Sequence, residues 1–224
     1  MSGDNDALRN PATGYGQTLW SSFWQIVCSP MWMIKSQFDS LNDAIKNPGR
    51  CKALKLLFIK KDLGDSGPNL AMLKNFRELF IQADPSIYDN YEFEVPPEIG
   101  ELTELKKLSL LNVPFKNWPT WVFKLKHLEY LMIRGTEIDS IPCNISRLTE
   151  LKTLRVENCE VTKLPSELRD LRKLKNLGLS DTKLSSIDKN DLPLGLRKIN
   201  LAGTKLFASV NEIVDRRLKS AHVN

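Results

Sequence analysis

One apolar register recurs seven times along the chain with a nearly constant step. Its first apolar residue falls at Leu54, Phe76, Leu105, Leu128, Leu151, Leu174 and Leu196, in steps of 22, 29, 23, 23, 23 and 22 residues. Apolar residues follow three and five positions after each start: Leu57 and Ile59, Leu79 and Ile81, Leu108 and Leu110, Leu131 and Ile133, Leu154 and Val156, Leu177 and Leu179, Ile199 and Leu201. Residues 148–168 display one whole unit: a short strand around Leu154 and Val156, a turn at Cys159, and a return through Leu164 and Leu168. A unit of this size cannot bury its own apolar side, so it is stable only between copies of itself. The register therefore predicts an α/β solenoid over residues 51–207, with seven repeats. A curved parallel sheet of about seven strands is expected on its concave face.

The return half of the unit carries its own signature. Val95-Pro96, Trp118-Pro119, Ile141-Pro142 and Leu164-Pro165 stand at matching places, each followed by apolar residues at Ile99, Val122, Ile145 and Leu168, and again at Leu102, Leu125, Leu148 and Leu171. Proline lacks an N–H and cannot extend a ladder, so this convex side is expected to run as short helical or extended turns. Trp121 is expected to point outward there, beside Trp118, unless it packs on a neighbouring turn. The step of 29 marks an insert near residues 84–94. Asp84, Asp89, Glu92 and Glu94 lie in it among Tyr88, Tyr91 and Phe93. It is expected to protrude as a loop at the solenoid edge.

The open ends of such an array need covers. Residues 17–50 are expected to form an N-terminal helical cap in two pieces split at Pro30, the second carrying Ile34, Phe38, Leu41 and Ile45 on one face. Trp20, Trp24 and Trp32 also suit a membrane surface, but the pair holds as many acids as bases, which favours the cap. Residues 208–224 are expected to form a C-terminal capping helix and tail, with Val210, Ile213, Val214 and Leu218 as its apolar side. Residues 1–16 have no apolar period and are expected to be a flexible tail; a polar bacterial secretion leader has the same composition.

Composition narrows the chemistry. The chain carries a net charge of +5, which permits an acidic partner without requiring one. Cys28, Cys51, Cys143 and Cys159 form no CxxC and have no clustered histidine, since the two histidines are His127 and His222. Neither a zinc site nor a disulfide framework is expected, and reduced thiols in the cytoplasm are the economical reading. The acidic N-terminus does not read as a secretory signal, and the stretch 19–34 is too interrupted to span a bilayer. No glycine-rich phosphate loop occurs, and neither histidine is placed to activate a nucleophile, so catalysis has little support and no cofactor is expected.

The seven segments resemble leucine-rich repeats, whose strand pattern LxxLxLxx precedes a turn residue. The resemblance covers residues 54–207. The 23-residue step and the second half LPxxIxxL look like the class found in Ras-group proteins, plant resistance receptors and several bacterial effectors. The family implies a non-enzymatic scaffold that binds a protein, or, as an alternative, a secreted bacterial effector acting on a host protein in the host cytoplasm. The turn position departs from the asparagine common in the family. It holds Asp62, Asp84, Val113, Thr136, Cys159, Thr182 and Thr204. Val113, followed by Pro114, cannot form a ladder bond, and local irregularity is expected there.

Period-two alternation sorts the strand residues by face. The columns expected to face outward include Leu56, Phe58, Phe80, Leu111, Tyr130, Met132, Arg134, Arg155 and Glu157. Aromatic residues, methionine and arginine are enriched at interface cores, so these nine form the expected partner-binding site, with its centre near Phe58 and Phe80. The N-terminal cap or the insert folding over Phe58 and Phe80 is the competing explanation for their apolar character. A second column, Lys55, Arg77, Lys106, Lys152, Lys175 and Arg197, with Glu129 as the one exception, forms a basic rim. It is either a solvated edge paired with Glu104 and Glu150, or a polyanion-steering stripe, a further alternative function. Nucleic acid is disfavoured because aromatics do not interleave with this column.

Overall fold

The structure is a computed structural model. It describes residues 37–38, 53–58, 76–83, 95 and 97–206, all within a compact unit spanning residues 36–224. The expected tail, most of the N-terminal cap, the insert at 84–94 and the C-terminal capping helix lie outside the described residues.

Among the described residues, eight parallel strands form one open sheet in simple sequence order. They are β1 (Gln37–Phe38), β2 (Ala53–Phe58), β3 (Glu78–Ala83), β4 (Lys107–Leu111), β5 (Tyr130–Thr136), β6 (Thr153–Cys159), β7 (Asn176–Gly178) and β8 (Lys198–Asn200). Strand order follows chain order because each unit contributes one strand and returns before the next begins. The return runs through short 3-10 helices at Pro97–Glu101, Thr120–Lys124, Cys143–Arg147, Ser166–Asp170 and Lys189–Asp191. Pro119, Pro142 and Pro165 each stand just before such a helix in extended backbone, and their carbonyls accept the first 3-10 bonds from Val122, Ile145 and Leu168 at 3.1, 3.0 and 3.1 Å. Proline thus ends the extended segment and starts the turn, as the sequence pattern predicts.

The core lies between the sheet and these turns. From β4 onward, register pairs like with like: Leu108, Leu131, Leu154, Leu177 and Ile199 run across the sheet, and all are buried. Leu128, Leu151 and Leu174 stand two residues before their strands, and Leu125, Leu148 and Leu171 close the turns before them; each of these is fully buried. A solvent-free column of this kind transfers from water at roughly 25 cal/mol per Å² of apolar area, which is the main force holding neighbouring units together.

Two expectations about the N-terminal end change. Gln37–Phe38 pairs in parallel with Ala53–Leu54 as an eighth strand, where a helix was expected. The first copy also sits three residues away from its expected register. Leu54, Leu56 and Phe58 pair with Leu79, Ile81 and Ala83, three buried core residues, while Lys55 pairs with Phe80. Leu54 therefore takes the place of the unit's second apolar residue and not of its first. The stretch Leu54-Lys55-Leu56-Leu57-Phe58-Ile59 is apolar at both parities, so hydrophobicity alone does not select between the two registers, and an odd shift exchanges the faces.

The turn after each strand follows a rule that the apolar pattern does not reveal. Asn112, Gly135, Asn158, Asp181 and Gly203 all have positive φ, between 48° and 72°. They recur at the repeat step, directly before the turn residue. Asparagine, aspartate and glycine are the residues that tolerate this left-handed backbone. Val113 follows Asn112, which keeps the positive φ, and is fully buried, its apolar side chain joining the core; the ladder nevertheless stops short here, as expected, because pairing ends at Leu111 and Arg134 whereas Thr136 pairs with Cys159 and Cys159 with Thr182 in the next units. Thr182 and Thr204 take the polar route, donating to Leu179 O and Leu201 O at 2.8 and 2.6 Å. Cys159 donates to Glu157 O at 3.1 Å and meets Thr136 Oγ1 at 3.3 Å.

Candidate functional site

The outward columns of the sheet face are fixed by register. One runs Phe80, Ser109, Met132, Arg155, Gly178 and Asn200, and the next runs Gln82, Leu111, Arg134 and Glu157. Of the nine residues expected to bind a partner, Leu56 and Phe58 fall at register positions of the core column, opposite Ile81 and Ala83. Phe80, Tyr130, Arg134 and Arg155 remain on it and are half-buried.

Leu111, Met132 and Glu157 were expected to be exposed and are buried, at 3%, 1% and 2%. Parallel strands stand about 4.8 Å apart, so large side chains on one column cover their neighbours. The Tyr130 hydroxyl donates to Met132 Sδ at 3.5 Å, and Arg155 stands opposite Met132 on the adjoining strand. Leu111, the last residue of β4, is flanked in register by the long side chains of Gln82 and Arg134.

Glu157 is held by a fork. Arg155 donates from Nε to Glu157 Oε1 at 2.7 Å and from Nη2 to Oε2 at 3.0 Å. Gly178 on β7 makes room for it. A methyl group at that position would lie 2.6 Å from Glu157 Oε1 and 3.2 Å from Arg155 Cγ. Burial pulls the Arg155 guanidinium towards its neutral form, but the Glu157 hydrogen bond and charge outweigh it, so its pKa stands above the usual value. Burial raises the Tyr130 phenol, against the nearby positive charge of Arg155. The result is a rigid centre: an aromatic ring and a guanidinium side by side, each anchored from beneath by a buried residue. Around it the face is polar, with Asn176 donating to Thr153 Oγ1 at 3.2 Å and Lys107 paired to Glu78 at 2.7 Å.

The basic rim divides. Lys55 is not part of it, because its register partner is Phe80. Glu129 sits between Lys106 and Lys152, bonding them at 3.2 and 2.6 Å, and these contacts, Lys152 first, hold its carboxyl below the usual range. Arg77 meets Glu104 at 3.3 Å. Lys175 and Arg197 have no carboxylate partner among the described residues. The same column also has a backbone role. The N–H groups of Lys106, Glu129, Lys152, Lys175 and Arg197 each donate to the carbonyl of the preceding rim residue at 2.8 Å.

On the opposite face Trp121 is 4% exposed, correcting the outward expectation. It packs on the preceding turn, where Gly100 leaves room: a methyl there would lie 2.9 Å from Trp121 Cβ. Trp118 stacks on Phe123 at 5.9 Å and donates from Nε1 to Ser140 O at 2.7 Å, tying two units together.

A family model described as a leucine-rich repeat region matches residues 54–200, about two thirds of the chain. The chain belongs to the leucine-rich repeat family. Solved structures agree on the fold. A leucine-rich repeat protein of Leptospira interrogans superposes with a TM-score of 0.62 at 23% identity, covering 77% of this chain and 48% of the other. An internalin of Listeria monocytogenes, InlF, gives 0.52 at 19% identity, covering 74% and 45%. The plant peptide hormone receptor RGFR1, in complex with RGF2, gives 0.53 at 19% identity, covering 75% and 27%. This leucine-rich repeat chain thus spans half or less of the length of these three proteins. No curated protein sequence matches it. Leucine-rich repeat folds commonly serve as protein–protein interaction modules, and members of the family are typically binding scaffolds without catalytic activity.

Sequence reasoning missed Gly178, the positive-φ column and the Trp118–Ser140 bond. The second was readable: asparagine, glycine or aspartate recurs at the repeat step. The other two depend on which side chain leans across a strand or turn boundary, and no period encodes that.

Proposed function

We propose that this chain is a non-enzymatic scaffold that grips a partner protein on its sheet face, at Tyr130, Arg134 and Arg155, with Phe80 beside them. The supporting observation is the anchored pair: Tyr130 is held to Met132, and Arg155 is forked to Glu157. Tyrosine and arginine dominate interface energies, and side chains already fixed in place lose little entropy on binding. The peptide hormone receptor with the same fold has been solved in complex with RGF2, a precedent for ligand binding by this architecture.

A photo-crosslinking amino acid at position 130, and a control at Glu167 on the opposite face, test the reading in cells. A covalent adduct specific to position 130, identified by mass spectrometry, is expected. With the identified partner, Tyr130→Ala should weaken binding by at least about tenfold, some 1.4 kcal/mol, with an unchanged circular dichroism spectrum. Equal crosslinking at both positions, or undiminished affinity, would remove the sheet face as the site.

A further inference from the structure

The 3-10 helices present one residue at the same place in successive units, the fifth of each helix. That position reads Glu101, Lys124, Arg147 and Asp170. Two cations thus stand side by side between two acids, so the positive charge is local and not a stripe along the molecule. Between them lies a cleft of about 390 Å³, lined by Phe123, Lys124, Lys126 and Arg147. Lys124, Lys126 and Arg147 are all exposed. They form no ion pair among the described residues, which is also true of Lys175 and Arg197; what sets the three apart is that they line one cleft. The cleft also has a firm wall. Phe123 stacks on Trp118, whose indole bonds Ser140 O in the next unit, so the two turns carrying the cations are tied together.

We propose that this cleft binds a phosphomonoester group. Three cations suit a dianion better than a single carboxylate. The planar Arg147 fork matches phosphate oxygens in pairs, and two lysine ammoniums supply the remaining charge. The volume exceeds that of a bare ion. This site lies on the opposite face from Tyr130 and Arg155 and does not depend on the proposed partner grip.

Glycerol 3-phosphate, and phosphatidylcholine vesicles with and without phosphatidic acid, present the same group in soluble and lipid form. Calorimetric titration and vesicle co-sedimentation of the full chain measure both. Binding is expected to strengthen as pH rises through about 6, where the second phosphate proton leaves, and to weaken with salt. Lys124→Glu and Arg147→Glu are each expected to lower affinity at least about tenfold, while Lys163→Glu, an exposed charge reversal outside the cleft, leaves it unchanged. Binding of glycerol 3-phosphate with that mutational pattern supports a soluble ligand. Binding of phosphatidic acid vesicles alone, with the same pattern, supports a lipid headgroup. No binding in either arm, or equal loss with Lys163→Glu, overturns the proposal.

Discussion

Among the described glycines, Gly135 and Gly203 are those where one added methyl has the largest geometric consequence. Both have positive φ, and a Cβ on either would stand 2.2 Å from the Oδ1 of the preceding unit's Asn112 or Asp181. Gly135→Ala is expected to cost about 1–3 kcal/mol in urea denaturation, from left-handed strain plus the displaced amide. Asn158→Gly, at φ 48°, should stay within about 1 kcal/mol of wild type. Gly178→Ala acts differently. It pushes on the Arg155–Glu157 fork, so it should weaken partner binding by more than it lowers stability. Cys159 adds a pH signature. Burial raises its thiol pKa, so the folded state holds the proton more tightly than the unfolded chain. Stability is then unaffected below the unfolded pKa of about 8.5 and falls as pH rises from there towards the folded pKa. A Cys159→Ala variant should lack that alkaline fall when denaturation midpoints are compared across the range. At this scale the sequence located Tyr130, Arg134 and Arg155 on the right face. It misjudged Leu111, Met132 and Glu157, because alternation says which way a side chain points and not what leans over it.

At the scale of elements, the repeat period carried nearly all of the fold: strand order, the proline-started turns and the buried leucine columns follow from spacing alone. It failed where the period was ambiguous. In β2 two parities are both apolar, and the choice went to the register that pairs Leu54, Leu56 and Phe58 with buried residues of β3. That choice took Phe58 out of the expected centre near Phe58 and Phe80, and the proposed centre lies instead at Tyr130 and Arg155. In β1, Phe38 satisfies a helical face in sequence yet stands in the sheet beside Leu54, since an exposed strand edge gains backbone partners from any segment laid along it. Between turns, the Trp118–Ser140 bond is the tie with no counterpart in the period. Trp118→Phe retains the stack on Phe123 but removes the donor. It should lower stability by about 1 kcal/mol and loosen the wall of the cationic cleft, read as a weaker effect of glycerol 3-phosphate on the denaturation midpoint.

For the whole molecule, the rim column matters more as a spine than as a charge stripe. Its lysines near Glu129 are neutralised, and its backbone carries an unbroken run of inter-unit bonds from Arg77 to Arg197. In a solenoid each unit touches only its neighbours, so a defect should travel through these interfaces and fade with distance. Leu154→Ala removes a fully buried side chain from the unit of β6, at a cost of about 2–5 kcal/mol. Amide hydrogen exchange at Lys106, Glu129, Lys152, Lys175 and Arg197 reads the consequence one unit at a time. Protection should fall most at Lys152 and Lys175, whose bonds enter and leave the damaged unit, less at Glu129 and Arg197, and least at Lys106. An equal loss at all five amides would mean that the array unfolds as a single cooperative block. Tyr130 and Arg155 would then share one stability with the phosphomonoester cleft on the other face. A graded loss would leave the two proposed sites free to loosen separately, so that a ligand at one need not report on the other.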